Sequence, residues 1–384
     1  MGQDVFEISV NAVKLLLIFL MMVQMVPLLV WVERRGSAFI QHRFGPNRVG
    51  PLGLTQLLAD AVKFICKEEF VPAKANALLY YGAPVAALIP AALALASIPL
   101  STPIEVQPFE MAGKMWGPYI FNMQGVYMHV GIIYILGVSS LGAYSLLMAG
   151  WGSANKYSLM GALRASAQMI SYELAMGIAI VATVLLYGTF DLTEMIHAQA
   201  GPLRFGFLGQ SYQLDFLPNW GIFFQPVGFV LFFTAVFAES NRLPFDLPES
   251  EGELVAGFHT EYGGFKMLLF FMGEYGHMMV ASCLLSIFYF GGYGIPFVNE
   301  MEMRQFISGF VSGSTQISIG VSVAYLLSFV LKVAFFLWFF IWIRWTLPRF
   351  RYDHLMDLGW KTMLPWAIGN IVVTAFAMLL ARGF

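Results

Sequence analysis

AESNRLPFDLPESEGELVAGFHTEY, residues 238–262, lies between two long apolar runs and sets six carboxylates (Glu239, Asp246, Glu249, Glu251, Glu253, Glu261) against a single base, Arg242. Only 11% of the chain's residues are charged, so this concentration stands out. A solvated acidic loop is one account of it. Pro244, Pro248 and the phenylalanines favour an ordered segment instead, and Ser250–Glu253 reads as a capping box opening a short helix. Glu249 and Glu253, four apart, would share a face of that turn and repel. Acids held close and partly out of water have some pKa values raised toward neutrality, as proton handling requires.

The 384 residues are 58% hydrophobic and 16% aromatic. Soluble domains run at roughly 45–50% apolar and about 25% charged, so the fold class is an all-α polytopic membrane protein. A net charge of −2 gives nucleic acid no purchase. Two cysteines, Cys66 and Cys283, supply neither the four thiolates of an iron–sulfur cluster nor a disulfide framework. The first apolar run is too long for a signal-peptide core and lacks a basic leader, so it reads as a retained anchor.

A span needs about 20 apolar residues. Eight candidates follow: Val10–Val32, Leu78–Leu100, Val126–Met148, Ala165–Tyr187, Gly221–Ala238, Met267–Phe290, Ile319–Trp342 and Met363–Leu380. The whole chain, 1–384, is then one membrane domain with loops at 33–77, 239–266 and 343–362 on one side. Those loops and the 149–164 connection hold fifteen Lys and Arg against five on the other side, Lys14 included. The positive-inside rule therefore puts the acidic loop in the cytoplasm and both termini outside.

The loop after the first span, VERRGSAFIQHRFGPNRVGPLG, carries turn signals at Gly-Pro-Asn and Gly-Pro. Its arginines, Arg34 and Arg43 among them, are explained equally well as anchors. Beyond it, Leu54, Leu57, Leu58, Ala61, Val62 and Ile65 form an apolar stripe, with Gln56, Asp60, Lys63 and Lys67 opposite. Such a helix, Leu54–Glu68, lies in the interface or lids a cavity.

Inside the spans, Glu173 is a functional site by default, because a carboxylate in hydrocarbon must pair, protonate or meet water. Glu274 and His277 share a helix face, either as a relay or as a satisfied pair. His129 reads as a packing histidine, and Lys332 lies in the seventh span with no partner to name. Residues 203–216 alternate around Gly209-Gln210 as a hairpin would. No dinucleotide fingerprint, phosphate loop or zinc motif is present. On these grounds alone a proton- or cation-coupled transporter leads, although no internal repeat relates the two halves.

Three motifs resemble one family. The A-E-S-N-R-x-P-F-D-L-x-E-x-E-x-E-L-V-x-G-F-x-x-E-Y pattern of 238–262 is similar to the signature loop of the H subunits of proton-pumping NADH–quinone oxidoreductase (complex I), which adjoin the hydrophilic arm. Q-x-R-x-G-P-N-x-V-G-P-x-G after the first span and P-R-F-R-Y-D followed by G-W-K after the seventh are similar to further motifs of that family, in the same order. The resemblance covers about three-quarters of the chain. It implies a quinone chamber shaped by Arg34, Arg43, Asp60, Lys63, Arg242 and Asp246. It further implies a proton relay through Glu33, Glu173, Glu239, Glu249, Glu251, Glu253, Glu261 and Glu274, with Arg344, Arg349 and Arg351 supporting the cytoplasmic loop. The substrate implied is ubiquinone or menaquinone, with FMN and iron–sulfur clusters on partner subunits and no metal or redox centre here. Implied partners are hydrophilic-arm subunits carrying the terminal cluster, antiporter-like and small membrane subunits, and lipid. The implied setting is a bacterial inner membrane rather than a mitochondrial one. The membrane anchor of ion-pumping hydrogenases is the neighbouring alternative, against which the intact carboxylate set of 238–262 weighs.

Overall fold

The apolar runs become helices because in hydrocarbon every backbone N–H and C=O must be satisfied within its own segment. A computed structural model describes residues 2–111, 114–116, 118–207, 210–246 and 255–382. In chain order its helices are α1 (Gly2–Ile40), α2 (Gln56–Cys66), α3 (Ala77–Ala96), α4 (Gly131–Ser139), α5 (Leu141–Gly152), α6 (Lys156–Tyr187), α7 (Leu192–Ala198), α8 (Gly221–Phe224) and α9 (Pro226–Glu239). There follow α10 (Gly264–Phe290), α11 (Glu300–Ser308), α12 (Ser314–Thr346), α13 (Tyr352–Asp357) and α14 (Leu364–Arg382). The helix expected to open at Ser250, with Glu249, Glu251 and Glu253, lies outside the described residues.

Among the described residues, seven helical stretches are long and apolar enough to cross a membrane: Glu7–Ile40, Ala77–Ala96, Gly131–Gly152, Lys156–Tyr187, Gly264–Phe290, Ser314–Thr346 and Tyr352–Ala381. They correspond to seven of the eight expected spans. The remaining one, Gly221–Ala238, is interrupted. Gln225 leaves helical geometry (φ −130°, ψ 54°) and Pro226 starts a fresh helix of 14 residues. The Gln225 side chain ties this break to α14, its Nε2 donating to Thr374 Oγ1 at 2.6 Å and its Oε1 accepting from Asn370 at 2.8 Å.

Helix α10 is the axis of the bundle. It packs on α3, α3 on α5, α5 on α6, and α6 on α9. Gly273 and Gly276 make the α10–α3 contact possible. A Cβ at Gly273 would stand 2.7 Å from the carbonyl oxygen of Ala87, and one at Gly276 would stand 2.8 Å from the Cβ of Ala91. Small residues let two helix backbones approach in this way where lipid supplies no hydrophobic drive. The approach fixes the face of α10 that carries Glu274, Tyr275 and His277.

At one end of the bundle the connections form antiparallel hairpins. Strands β1 (Ile104–Val106) and β4 (Tyr119–Phe121) enclose β2 (Phe109–Met111) and β3 (Lys114–Trp116). The expected hairpin at 203–216 is present as β5 (Pro202–Phe207) paired with β6 (Gln210–Pro218), in the register Leu203↔Leu214. Lys332 also finds its partner near this end. Its Nζ donates to the carbonyls of Phe290, Gly292 and Gly294 at 2.8, 2.9 and 2.6 Å, capping the C-terminus of α10. No carboxylate is needed, since the last carbonyl of α10 carries the negative end of the helix dipole and two carbonyls of the following turn complete the set. Lys332→Met would strand them, at a cost of about 1–3 kcal/mol. The expected result is a lowered heat-denaturation midpoint of the detergent-solubilised protein, and an unchanged midpoint would overturn this role.

Candidate functional site

At the opposite end, α1, α2 and α10 enclose a cavity of about 880 Å³, toward the large end of the roughly 300–1,000 Å³ usual for ligand sites. Its walls are apolar, with Phe19, Val23, Leu57, Phe64, Leu269 and Met272 among them. Pro27 also lines it and, lacking an N–H, leaves the Val23 carbonyl without its helical donor. The stripe expected on α2 divides its work. Leu54, Leu57, Leu58 and Ala61 line the cavity, while Val62 and Ile65 lie exposed toward the surroundings.

One end of the cavity is charged. Glu33, at the end of the apolar part of α1, is buried and accepts from three donors. Tyr275 Oη donates to its Oε2 at 2.7 Å, Arg242 to the same oxygen at 3.2 Å, and Arg344 to Oε1 at 2.6 Å. Arg242, only 4% exposed, also sets its Nε 2.6 Å from Glu274 Oε1 and stacks its guanidinium 4.0 Å over the Tyr275 ring. Burial works against the Arg242 charge, but Glu274, Tyr275 and Glu33 outweigh it and raise its pKa above the ordinary arginine value. A planar fork that bridges two carboxylates and stacks on a ring is a task for arginine and not lysine. Across the cavity mouth, Arg34 pairs with Asp60 on α2, Lys63 stands 3.6 Å from the other carboxylate oxygen, and Gln56 donates to it at 3.3 Å. Burial pushes the Asp60 carboxyl up, yet the Arg34 hydrogen bond and charge, with Gln56 and Lys63, hold it below the usual carboxylate range.

The end of α9 aims Arg242 into this site. The helix stops at Glu239, and Asn241 turns the chain with a positive φ of 50°, a conformation asparagine tolerates better than most residues. Gln168 on α6 holds the turn, its Nε2 donating to the carbonyls of Ala238 and Phe245 at 2.8 Å each.

The remaining expected residues scatter. Asp246 is buried and pairs with Arg349 at 2.9 Å, while the Phe350 N–H donates to the Pro244 carbonyl. The last loop thus braces the acidic one through Arg349. Arg344 instead reaches the cavity itself, and Arg351 pairs with Asp353 at the surface. Arg43 is exposed, donates to Gln41 and does not line the cavity. Glu261 accepts from Asn155 at 2.6 Å, and its backbone carbonyl accepts from Tyr80 Oη at 2.7 Å.

Two smaller cavities continue inward. One of about 60 Å³ shares Glu274 and Phe271 with the large cavity. Another of about 20 Å³ shares Glu239, Ser240 and His277 with the second. Glu239 has the Ser139 hydroxyl within hydrogen-bonding reach and feels the charge of Glu173 on α6. Glu33 and Glu274 border the large cavity, and Glu274 and Glu239 the next one, whereas Glu173 and Glu261 line none of the three. Sequence reasoning passed over Tyr275, although the pairing of Tyr with an intramembrane Glu in EYGH was a signal for it. It also passed over Asn241 and His259, which line the second cavity. Among the described residues, no group of three or more His, Cys, Asp or Glu could hold a metal ion.

A multi-span helical protein with an amphipathic helix across the mouth of an apolar, charge-ended chamber is the class that fold and site define. Residues 13–375 match the family model described as NADH dehydrogenase. The chain is 65% identical over 381 residues to the H subunit of the NADH-quinone oxidoreductase of Bdellovibrio bacteriovorus, covering 99% of each. It is 44% identical over 362 residues to the H subunit of the Leptospira biflexa enzyme, covering 93% of this chain and 91% of that one. It is also 41% identical over 350 residues to an H subunit from Cytophaga hutchinsonii, covering 91% of each. The chain belongs to this family, as a membrane subunit of an oxidoreductase complex.

Proposed function

We propose that this chain, a single membrane domain over residues 1–384, forms the quinone chamber of a proton-translocating NADH:quinone oxidoreductase and the start of its charge relay. The observation that carries the proposal is the 880 Å³ cavity, apolar along its length and ending at Glu33, Arg242, Glu274, Tyr275 and Arg344. An isoprenoid tail of ubiquinone or menaquinone matches the apolar walls, and a head group with two oxygens matches the charged end. The tail enters beside α2, with the Arg34–Asp60 pair at the mouth and Lys63 outside it. The electrons come from an iron–sulfur cluster on a hydrophilic partner subunit, which with FMN completes the redox chain. The head group of the reduced quinone carries charge or demands protons. In a low-dielectric site that change acts strongly on the buried arginine–carboxylate cluster.

The disturbance then passes from Glu274 to Glu239 and Glu173, toward antiporter-like membrane subunits. Glu249, Glu251 and Glu253 share in it from the acidic loop, and Asp246, Glu261 and Arg349 hold that loop to the bundle. The acidic loop faces the cytoplasm of a bacterial inner membrane and the termini face the periplasm, in keeping with the distribution of lysine and arginine.

A quinone bearing a photoreactive group on its tail tests the chamber directly. Illumination of the intact complex is expected to label peptides from 19–34, 54–64 and 265–275, with protection by excess unmodified quinone. Protectable labelling confined to other parts of the chain would remove the proposal.

A further inference from the structure

His277 lies on the route between the chamber and Glu239, and the relay as described leaves it idle. It stands one helical turn beyond Glu274 on α10, on the same face. Glu274 borders the chamber and the 60 Å³ cavity, and Glu239 borders that cavity and the 20 Å³ one. His277 borders both small cavities, as Glu239 does. Room for the ring comes from α5, where Gly142 lies against Nε2. A water needs roughly 10–15 Å³ of such space, so the 60 Å³ cavity has room for a few. Its polar border also includes Ser145, Asn241 and His259.

Among the described residues no protein group hydrogen-bonds the imidazole of His277. The charged or titratable groups around it are Glu274 from its own helix, Glu239 from α9, His259 from the loop before α10 and, behind Glu239, Glu173 from α6. From α3 and α5 it meets only Ala87, Gly142, Ser145 and Leu146 on these cavities. Glu274 and Glu239 border one small cavity, and a group between them that takes up a proton at one face and releases one at another would join them. An imidazole does this, since its two nitrogens exchange the roles of donor and acceptor.

We infer that His277 is the proton-carrying bridge between Glu274 and Glu239, working through the water of the two small cavities. A proton released on the Glu274 side adds to one ring nitrogen. The proton on the other nitrogen leaves toward the Glu239 carboxylate, and the imidazole is restored in its second tautomer. No electron moves in the step. The inference deepens the proposed relay and rests on it.

The test compares His277→Gln and His277→Ala in the complete complex in inverted membrane vesicles, with assembly followed on native gels. Glutamine fills the space and hydrogen-bonds but carries no proton. Both variants are expected to keep NADH oxidation by an artificial upstream acceptor and to keep the quinone KM. Coupled turnover and proton uptake into the vesicles should both fall by about tenfold or more, with added imidazole restoring turnover in His277→Ala. Wild-type turnover and proton uptake in His277→Gln would overturn the inference, and that variant decides the matter if His277→Ala does not assemble. If His277→Gln is normal while quinone still labels and turns over through the chamber, the bridge alone fails. If the chamber peptides do not label, the proposed function fails with it.

Discussion

Replacing Arg242 by alanine is expected to lower quinone reduction by at least about a hundredfold while the complex still assembles and still reduces an artificial acceptor upstream. Arg242 is held by Glu33 at 3.2 Å and Glu274 at 2.6 Å, with its guanidinium on the Tyr275 ring. Its removal leaves Glu33 and Glu274 together at the charged end of the chamber without the guanidinium that bridges them, Arg344 remaining on Glu33. Breaking a buried pair by deleting one partner costs roughly 3–5 kcal/mol, and about 1.4 kcal/mol is a factor of ten. That disturbance falls where the quinone head group must settle. Arg242→Lys retains the charge but neither the fork nor the stack, so an intermediate loss is expected. Activity is to be measured as NADH:quinone and NADH:ferricyanide reduction in the same membranes, with native electrophoresis for assembly. Undiminished quinone reduction in an assembled Arg242→Ala complex would take this cluster off the quinone path, and the transporter or hydrogenase-anchor alternatives would move ahead.

Glu239→Gln carries the second large effect. The side chain closes α9 and borders both inner cavities, near Ser139 and Glu173. Glutamine preserves its size and its bond to Ser139 but cannot bind and release a proton. Proton transfer by a placed side chain contributes about 10²- to 10⁴-fold. In a tightly coupled machine a stalled proton also stalls the electron, so quinone turnover and proton uptake should fall together by about tenfold or more. Glu239→Asp, one methylene short, should recover part of both. A Glu239→Gln complex with wild-type uptake per electron would make this carboxylate structural.

Seven of the eight expected spans and the membrane class were legible because twenty-residue apolar runs have few other destinies. The break at Gln225-Pro226 was visible as a proline, yet its consequence depends on Thr374 and Asn370 of α14 offering partners 149 and 145 positions away. Lys332 shows the same limit. An intramembrane lysine invites a carboxylate partner, whereas three carbonyls at the end of another helix satisfy it, and backbone acceptors have no signature in sequence. At the site, the family resemblance pointed to Glu33, Arg242, Glu274 and Asp60 as candidates. The grouping of the first three around Tyr275, and the separation of Arg344 from Arg349 and Arg351, come from how α1, α10 and α12 meet. Charge alone distinguished none of these arginines.

Glu33 joins parts of the chain that are made far apart in time. Its partners Arg242 and Arg344 follow it by 209 and 311 positions. During synthesis, therefore, the chamber has its first wall long before its end can close. The carboxylate of α1 waits with an unfilled coordination until the sixth long span, Ser314–Thr346, has entered the membrane. The charged cluster is thus also a clasp that fastens last, so a productive site is the signature of a chain whose insertion has run nearly to completion.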